Sequence, residues 1–168
     1  MEQMPISTVV RPPGIVSLAD FTSPALILPH LRGQDAASVI QELSQALHRE
    51  NRLPDVLPFY HAALNREFLG STEMEAGMAF PHARLQGLST LSYAFGRADQ
   101  PLAWDPKTAP SVSLVFLMAV PATDSTQYLW LVSGLARLAK NPQLMPSLKA
   151  AKDTFQILDV LRQIKLRT

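Results

Sequence analysis

The chain has no cysteine among its 168 residues. Disulfides, thiol nucleophiles and thiolate metal sites are therefore excluded, which agrees with a reducing compartment. An excess of one charge sign is missing as well. The 15 Lys and Arg against 14 Asp and Glu leave a formal net charge of +1, and neither sign dominates a long segment. Nothing in that balance points to nucleic acid or an anionic membrane as partner. Long apolar runs are also lacking: "LVFLMAV" (Leu114 to Val120) is far below the roughly 20 residues of a membrane helix. The amino-terminal "MEQMPISTVVRPPG" has no basic region followed by a continuous apolar core, so it is not a signal peptide. A cytoplasmic location is expected.

Several kinds of site are missing too. Seven glycines, scattered singly, build neither a GxxxxGK[ST] nor a GxGxxG phosphate loop. No serine lies in a GxSxG context. The four histidines, His30, His48, His61 and His82, never pair at i, i+4 around an acid, so no zinc helix and no metal site is expected. Basic residues are not interleaved with aromatics as a single-stranded nucleic-acid platform needs.

What remains is the composition of a globular protein, 47% hydrophobic and 17% charged, of a length that suits one domain with a real core. Residues 1–16, proline-rich and without periodicity, read as a tail or arm; residues 17–168 read as the domain. "ALIL" (Ala25 to Leu28) between two prolines is a short buried-strand candidate. "GQDAASVIQELSQALHRE" places Ala36, Val39, Ile40, Leu43 and Leu47 on one helical face, starting near Gln34 or Asp35.

A second helix is expected from Asp55 to about Phe68, with Val56, Phe59, Ala63 and Leu64 inward and Pro58 tolerated in its first turn. "STEMEAG" reads as a loop into a strand at Met78 to Phe80. "LSYAFGRA" (Leu91 to Ala98) reads as an alternating strand, "PLAW" with "DPKTAP" as a short edge segment and turn. "SVSLVFLMAV" (Ser111 to Val120), apolar on both faces, suits a central strand.

Residues 124–140 read as a helix with Leu129, Val132, Leu135, Ala136 and Ala139 inward. Asn141 is a candidate N-cap for the next helix, with Pro142 at its first position. A last helix starts after Asp153 with Phe155, Leu158 and Leu161 or Val160 inward. This order implies a single α/β domain with helices on both faces of a mostly buried sheet.

One constellation could carry chemistry. In "MAFPHARLQG" a short apolar run stops at Pro81 and His82 follows at once, with Arg84 two residues later. A neutral imidazole can attack a phosphoryl group, and cations with hydroxyl or amide donors would stabilise the charge on its oxygens. Arg66, Arg84 and Thr72 are groups of the right kind. Taken by themselves, the residues equally allow a half-buried loop histidine and a solvated helix end at Arg66 and Glu67.

The segment "NREFLGSTEMEAGMAFPHAR" resembles the active-site segment of the type 2 enzyme IIA domains of the bacterial phosphoenolpyruvate-dependent phosphotransferase system. This is the fructose/mannitol class, which includes the nitrogen-related regulatory enzyme IIA. Arg66, Glu67, Thr72, Gly77, Ala79, Pro81 and His82 match its pattern in order and spacing, and the resemblance runs from about residue 17 to 164.

It implies a mixed central sheet flanked by helices, with His82 exposed beside a shallow depression. His82 would be the phosphorylated histidine, accepting phosphate from the carrier protein HPr and passing it to an enzyme IIB domain. Arg66 would hold the phosphoryl oxygens and Thr72 would help to fix the site, with Glu67, Arg84 and Tyr128 as auxiliary residues. No cofactor is implied.

Two departures accompany the resemblance. Glu73 and Glu75 stand where the family usually has loop glycines. Tyr128, with Trp130 two residues on, stands where it commonly has a second histidine; a tyrosine hydroxyl can donate to phosphate but cannot act as an imidazole would. With no permease, IIB or HPr segment attached, the expectation is a free-standing protein. It would serve sugar uptake, or a regulatory role in which the phosphorylation of His82 controls binding to a target protein. The remaining alternative is a degenerate protein-binding module that is never phosphorylated.

Overall fold

Strand β7 (Val112–Pro121) is the spine of the fold in the computed structural model, which describes residues 16–166 apart from Glu75 and Ser125. The earlier elements are β1 (Val16–Ser17), β2 (Ile27–Leu28), α1 (Ala36–Arg49), α2 (Val56–Leu69), β3 (Glu73–Met74), β4 (Met78–Ala79), β5 (His82–Leu85) and β6 (Ser92–Leu102). After β7 come α3 (Gln127–Ala139), α4 (Leu144–Ala150), α5 (Thr154–Arg162) and β8 (Lys165–Leu166). The tail expected for residues 1–16 lies outside the described residues except for Val16, which opens β1.

β7 runs antiparallel to β6 and parallel to both β4 and β5. β2 joins β6 in parallel and β3 joins β4 antiparallel, which makes the sheet mixed. β1 and β8 form a separate antiparallel ribbon that sequence periodicity does not signal, since each strand has only two residues.

Alternation along β7 divides the core. Leu114, Phe116, Met118 and Val120 pack with Tyr93, Phe95, Met78 and Phe80 beneath α3, α4 and α5. Val115, Leu117 and Ala119 pack with Ala79, Ala83 and Ala94 beneath α1 and α2. The small alanines let α1 and α2 sit close, whereas Phe116 gathers the rings of Phe95, Tyr93 and Phe80 at centroid distances of 4.9, 5.7 and 6.2 Å on the other face. Helices therefore cover both faces, as the α/β reading of the sequence requires.

Most helix expectations hold for a physical reason. Asp35 caps α1 by accepting from the Ser38 amide, and Val39, Ile40, Leu43 and Leu47 are buried. Asp153 caps α5 through the Gln156 amide. Asn141 Oδ1 accepts from the Gln143 and Leu144 amides and so closes the turn before α4. The helix itself starts at Leu144 with Gln143 at its N-cap, which leaves Pro142 in the turn and not at the first helical position.

Other expectations are corrected. Leu129 and Phe155 point to solvent, 61% and 68% exposed, because Leu131, Gly134, Leu135 and Leu138 face the sheet from α3 and Ile157, Leu158, Val160 and Leu161 from α5. Only Ile27 and Leu28 of "ALIL" are strand; Pro24 starts a 3-10 turn through Leu26. "STEMEAG" is not merely a loop, since β3 folds back on β4 about Gly77 at φ 77°. The strand ending expected at Pro81 is an interruption: His82 opens β5 along the same neighbour, β7, with His82 beside Met118.

Candidate functional site

The break at Pro81 decides where the His82 ring goes. The Pro81 carbonyl accepts from the Met118 amide of β7 at 2.9 Å, which ties the break to the sheet. Phe80 belongs to neither β4 nor β5, and its carbonyl turns to the His82 side chain, 3.0 Å from Nδ1. A carbonyl can only accept, so Nδ1 carries the proton in this bond and Nε2 keeps its lone pair. The Tyr128 hydroxyl stands 3.5 Å from Nε2, with the two rings 5.4 Å apart. His82 is half-buried rather than fully exposed.

Burial pushes the His82 pKa below its ordinary value of 6.5. The Phe80 carbonyl and the Glu67 carboxylate act in the opposite direction, while the charges of Arg66 and Arg84 add to the lowering. The ring is held neutral with one nitrogen committed, the state a nucleophilic imidazole needs.

Arg66, near the carboxyl end of α2, donates through Nη1 to the Gly70 carbonyl at 2.8 Å. This satisfies the end of the helix while placing a guanidinium near His82. Arg84, on β5, donates through Nη1 to the carbonyls of Pro121 and Asp124. Its guanidinium carbon lies 5.5 Å from the centre of the Tyr128 ring, a cation–π arrangement. Asp124 also accepts from the Tyr128 amide at 2.9 Å. The start of α3, the end of β7 and β5 thus meet around Tyr128.

Glu67 and Thr72 are linked to the histidine through Phe80. Glu67 accepts the Thr72 amide at 2.6 Å, the Thr72 hydroxyl at 2.9 Å and the Trp104 indole N–H at 3.1 Å. Thr72 Oγ1 in turn accepts the Phe80 amide at 3.0 Å. Of the loop glutamates, Glu73 accepts from the Ser111 hydroxyl at 2.6 Å, and Glu75 lies outside the described residues. Trp130 is not at the His82 cluster. It lines a separate cleft of about 590 Å³ with Ser133, Arg137, Lys165 and Leu166.

The sequence-derived candidates His82, Arg66, Thr72, Glu67, Arg84 and Tyr128 therefore come together. Trp104 and the Phe80 backbone were missed. No local pattern links an indole to a carboxylate 37 residues away, and a main-chain carbonyl leaves no mark in the side-chain sequence. Among the described residues no group of three or more His, Asp or Glu side chains is placed to hold a metal, and no helix is long and apolar enough to cross a membrane.

Comparison with known proteins gives this geometry a setting. The family model for the phosphoenolpyruvate-dependent sugar phosphotransferase system, EIIA 2, matches residues 20–164. A nitrogen regulatory protein of Bradyrhizobium diazoefficiens is 30% identical over 144 residues, covering 86% of this chain and 94% of its own. The crystal structure of the nitrogen regulatory protein IIA-Ntr of Neisseria meningitidis superposes with a TM-score of 0.73 at 24% identity, covering 86% of this chain and 98% of that one. The mannitol enzyme IIA of Escherichia coli, in complex with its phosphorylated enzyme IIB, shares the fold with a TM-score of 0.67 at 14% identity, over 82% and 94% of the two chains. The family match over residues 20–164 and the near full-length relative lead to one conclusion: the chain belongs to the EIIA type 2 family of the phosphoenolpyruvate-dependent sugar phosphotransferase system.

Proposed function

We propose that this protein is a phosphohistidine carrier in which His82 Nε2 accepts a phosphoryl group from an HPr-like donor. The observation that carries the proposal is the His82 Nδ1 bond to the Phe80 carbonyl, which leaves the Nε2 lone pair for attack. In the transfer the Nε2–phosphorus bond forms as the phosphorus–nitrogen bond of the donor phosphohistidine breaks. The electron pair returns to the donor ring. No proton has to move, since the proton stays on Nδ1, where it is donated to the Phe80 carbonyl.

Charge on the equatorial phosphoryl oxygens is met by the Arg66 guanidinium, which has further N–H donors besides the one given to Gly70. The Tyr128 hydroxyl supplies a neutral donor at the Nε2 side of the ring. It does not supply a second base. Glu73 is held by Ser111, which draws one of the two unusual loop carboxylates into a hydrogen bond of its own.

Onward transfer goes to an enzyme IIB domain in sugar uptake, or the phosphorylated state is read by a target protein. The regulatory reading is favoured by the near full-length match to a protein named for nitrogen regulation, and by Tyr128 in place of an imidazole.

The test is incubation with enzyme I, HPr and labelled phosphoenolpyruvate. Acid-labile label on the wild type, absent from His82→Ala, is expected. An unlabelled wild type, under conditions that label a related enzyme IIA, means a module that binds partners without phosphorylation. Label that never reaches a IIB partner assigns the regulatory role.

A further inference from the structure

Among the described residues Thr72 and Glu67 make no hydrogen bond to the His82 ring. Their polar atoms are committed to one another, to an indole and to a main-chain amide. Glu67 accepts three N–H or O–H donors with no cation among them: the Thr72 amide, the Thr72 hydroxyl and Trp104 Nε1. By donating its own proton to Glu67, the Thr72 hydroxyl is left to act as acceptor towards Phe80, and the neighbouring carboxylate polarises it for that role.

Phe80 is then held on every side. Its amide is bound by Thr72 Oγ1, and its buried ring packs edge-on to Phe116 at 78°. Its backbone is confined to extended geometry by the following Pro81. The one polar group left to it, the carbonyl, meets His82 Nδ1 at 3.0 Å.

We propose that Trp104, Glu67 and Thr72 form a positioning relay that acts through the Phe80 peptide to keep the His82 proton on Nδ1, so that Nε2 is the attacking atom. The inference rests on the phosphocarrier reading for its consequence, but not for the tautomer itself. Thr72 and Glu67 are positioning residues here, and the phosphoryl group is met by others. Trp104, 3% exposed, anchors the relay in the core beneath α2. A displacement of the Glu67 carboxylate changes the environment of that indole directly.

The full chain labelled with ¹⁵N in histidine tests the relay. Long-range ¹H–¹⁵N spectra report which ring nitrogen of His82 holds the proton, and the rate of labelling by phospho-HPr is measured in parallel. The wild type is expected almost wholly as the Nδ1–H tautomer. Thr72→Val, similar in shape but without the hydroxyl, is expected to populate the Nε2–H form and to slow labelling by at least about tenfold, as a misplaced proton does in other histidine sites. Thr72→Ser is expected to restore both.

Trp104→Phe keeps an aromatic ring and removes only the indole donor. It is expected to move the tautomer in the same direction by less, and it carries the test should Thr72→Val fail to fold. A wild type in the Nε2–H form, or folded variants with the wild-type tautomer ratio, overturns the relay. A wild type that takes no label while its tautomer still follows Thr72 overturns the phosphocarrier reading and leaves the relay standing.

Discussion

Two opposing sets of influences act on the His82 ring. Burial and the charges of Arg66 and Arg84 disfavour the imidazolium, whereas the Phe80 carbonyl and Glu67 favour it, and the net shift is downward from 6.5. The sign follows. A lowered histidine pKa favours the neutral ring, and the proton uptake that removes the Nε2 lone pair is displaced to lower pH than for an ordinary imidazole. An NMR titration is expected to show His82 titrating below 6.5, and Arg66→Met to move the midpoint upward by removing a cation; a midpoint unmoved by that change would separate Arg66 from the site. Acid also withdraws stability: as pH falls through 6.5 the unfolded chain takes up the proton before the folded one, until the folded ring titrates as well. Position along the chain was enough to single out His82, Arg66 and Thr72 as candidates, because the matched pattern lies within a single short segment. Which ring nitrogen keeps its lone pair was not legible, since that depends on a carbonyl direction created by the Pro81 break.

At the scale of elements, the hairpin of β3 and β4 carries Thr72 and Phe80 to each other. Its turn depends on Gly77, at φ 77°, where a Cβ would meet the Ser111 carbonyl oxygen at 2.8 Å. The Gly77 carbonyl also accepts the Ser113 and Leu114 amides and so seats the hairpin on β7. Gly77→Ala meets both an unfavourable backbone conformation and a rigid main-chain neighbour. It is expected to destabilise by about 1–3 kcal/mol in chemical denaturation, the usual cost of overpacking, with loss of the Thr72 to Phe80 bond. A variant as stable as the wild type would show that this turn can relax. The hairpin was hidden in the sequence because two-residue strands carry no period, and Pro81 looked like a terminator rather than a pause between two strands on one neighbour. α1 and β7 were legible because many residues repeat one pattern: a 3.6-residue stripe in the first, a continuous apolar run in the second.

Over the whole molecule, the aromatic face of the sheet is closed by the last residues described. Leu166 on β8, 3% exposed, comes so near Gly134 of α3 that a Cβ there would lie 2.4 Å from its Cδ2 and 3.0 Å from Leu18 Cδ2. Leu166→Ala is expected to cost roughly 2 kcal/mol by opening a cavity at this closure. A fall in the thermal midpoint with the His82 tautomer unchanged would check it, because Leu166 packs against α3 at Gly134 whereas the relay is anchored at Trp104 in the other half of the core; a coupled change in both would show one cooperative unit. The chain's own residue order determined the family, the α/β class, the core strand and the choice of His82 as the candidate site, since each is written in local pattern and spacing. Tertiary structure alone decided the rest: Trp104 on Glu67, Arg84 over Tyr128, and the ring nitrogen left free. The Trp104–Glu67 and Tyr128–His82 approaches join residues 37 and 46 apart, and even the two-residue bond from His82 to Phe80 depends on the Phe80 peptide being held by Thr72; only packing brings these groups within hydrogen-bonding or stacking distance.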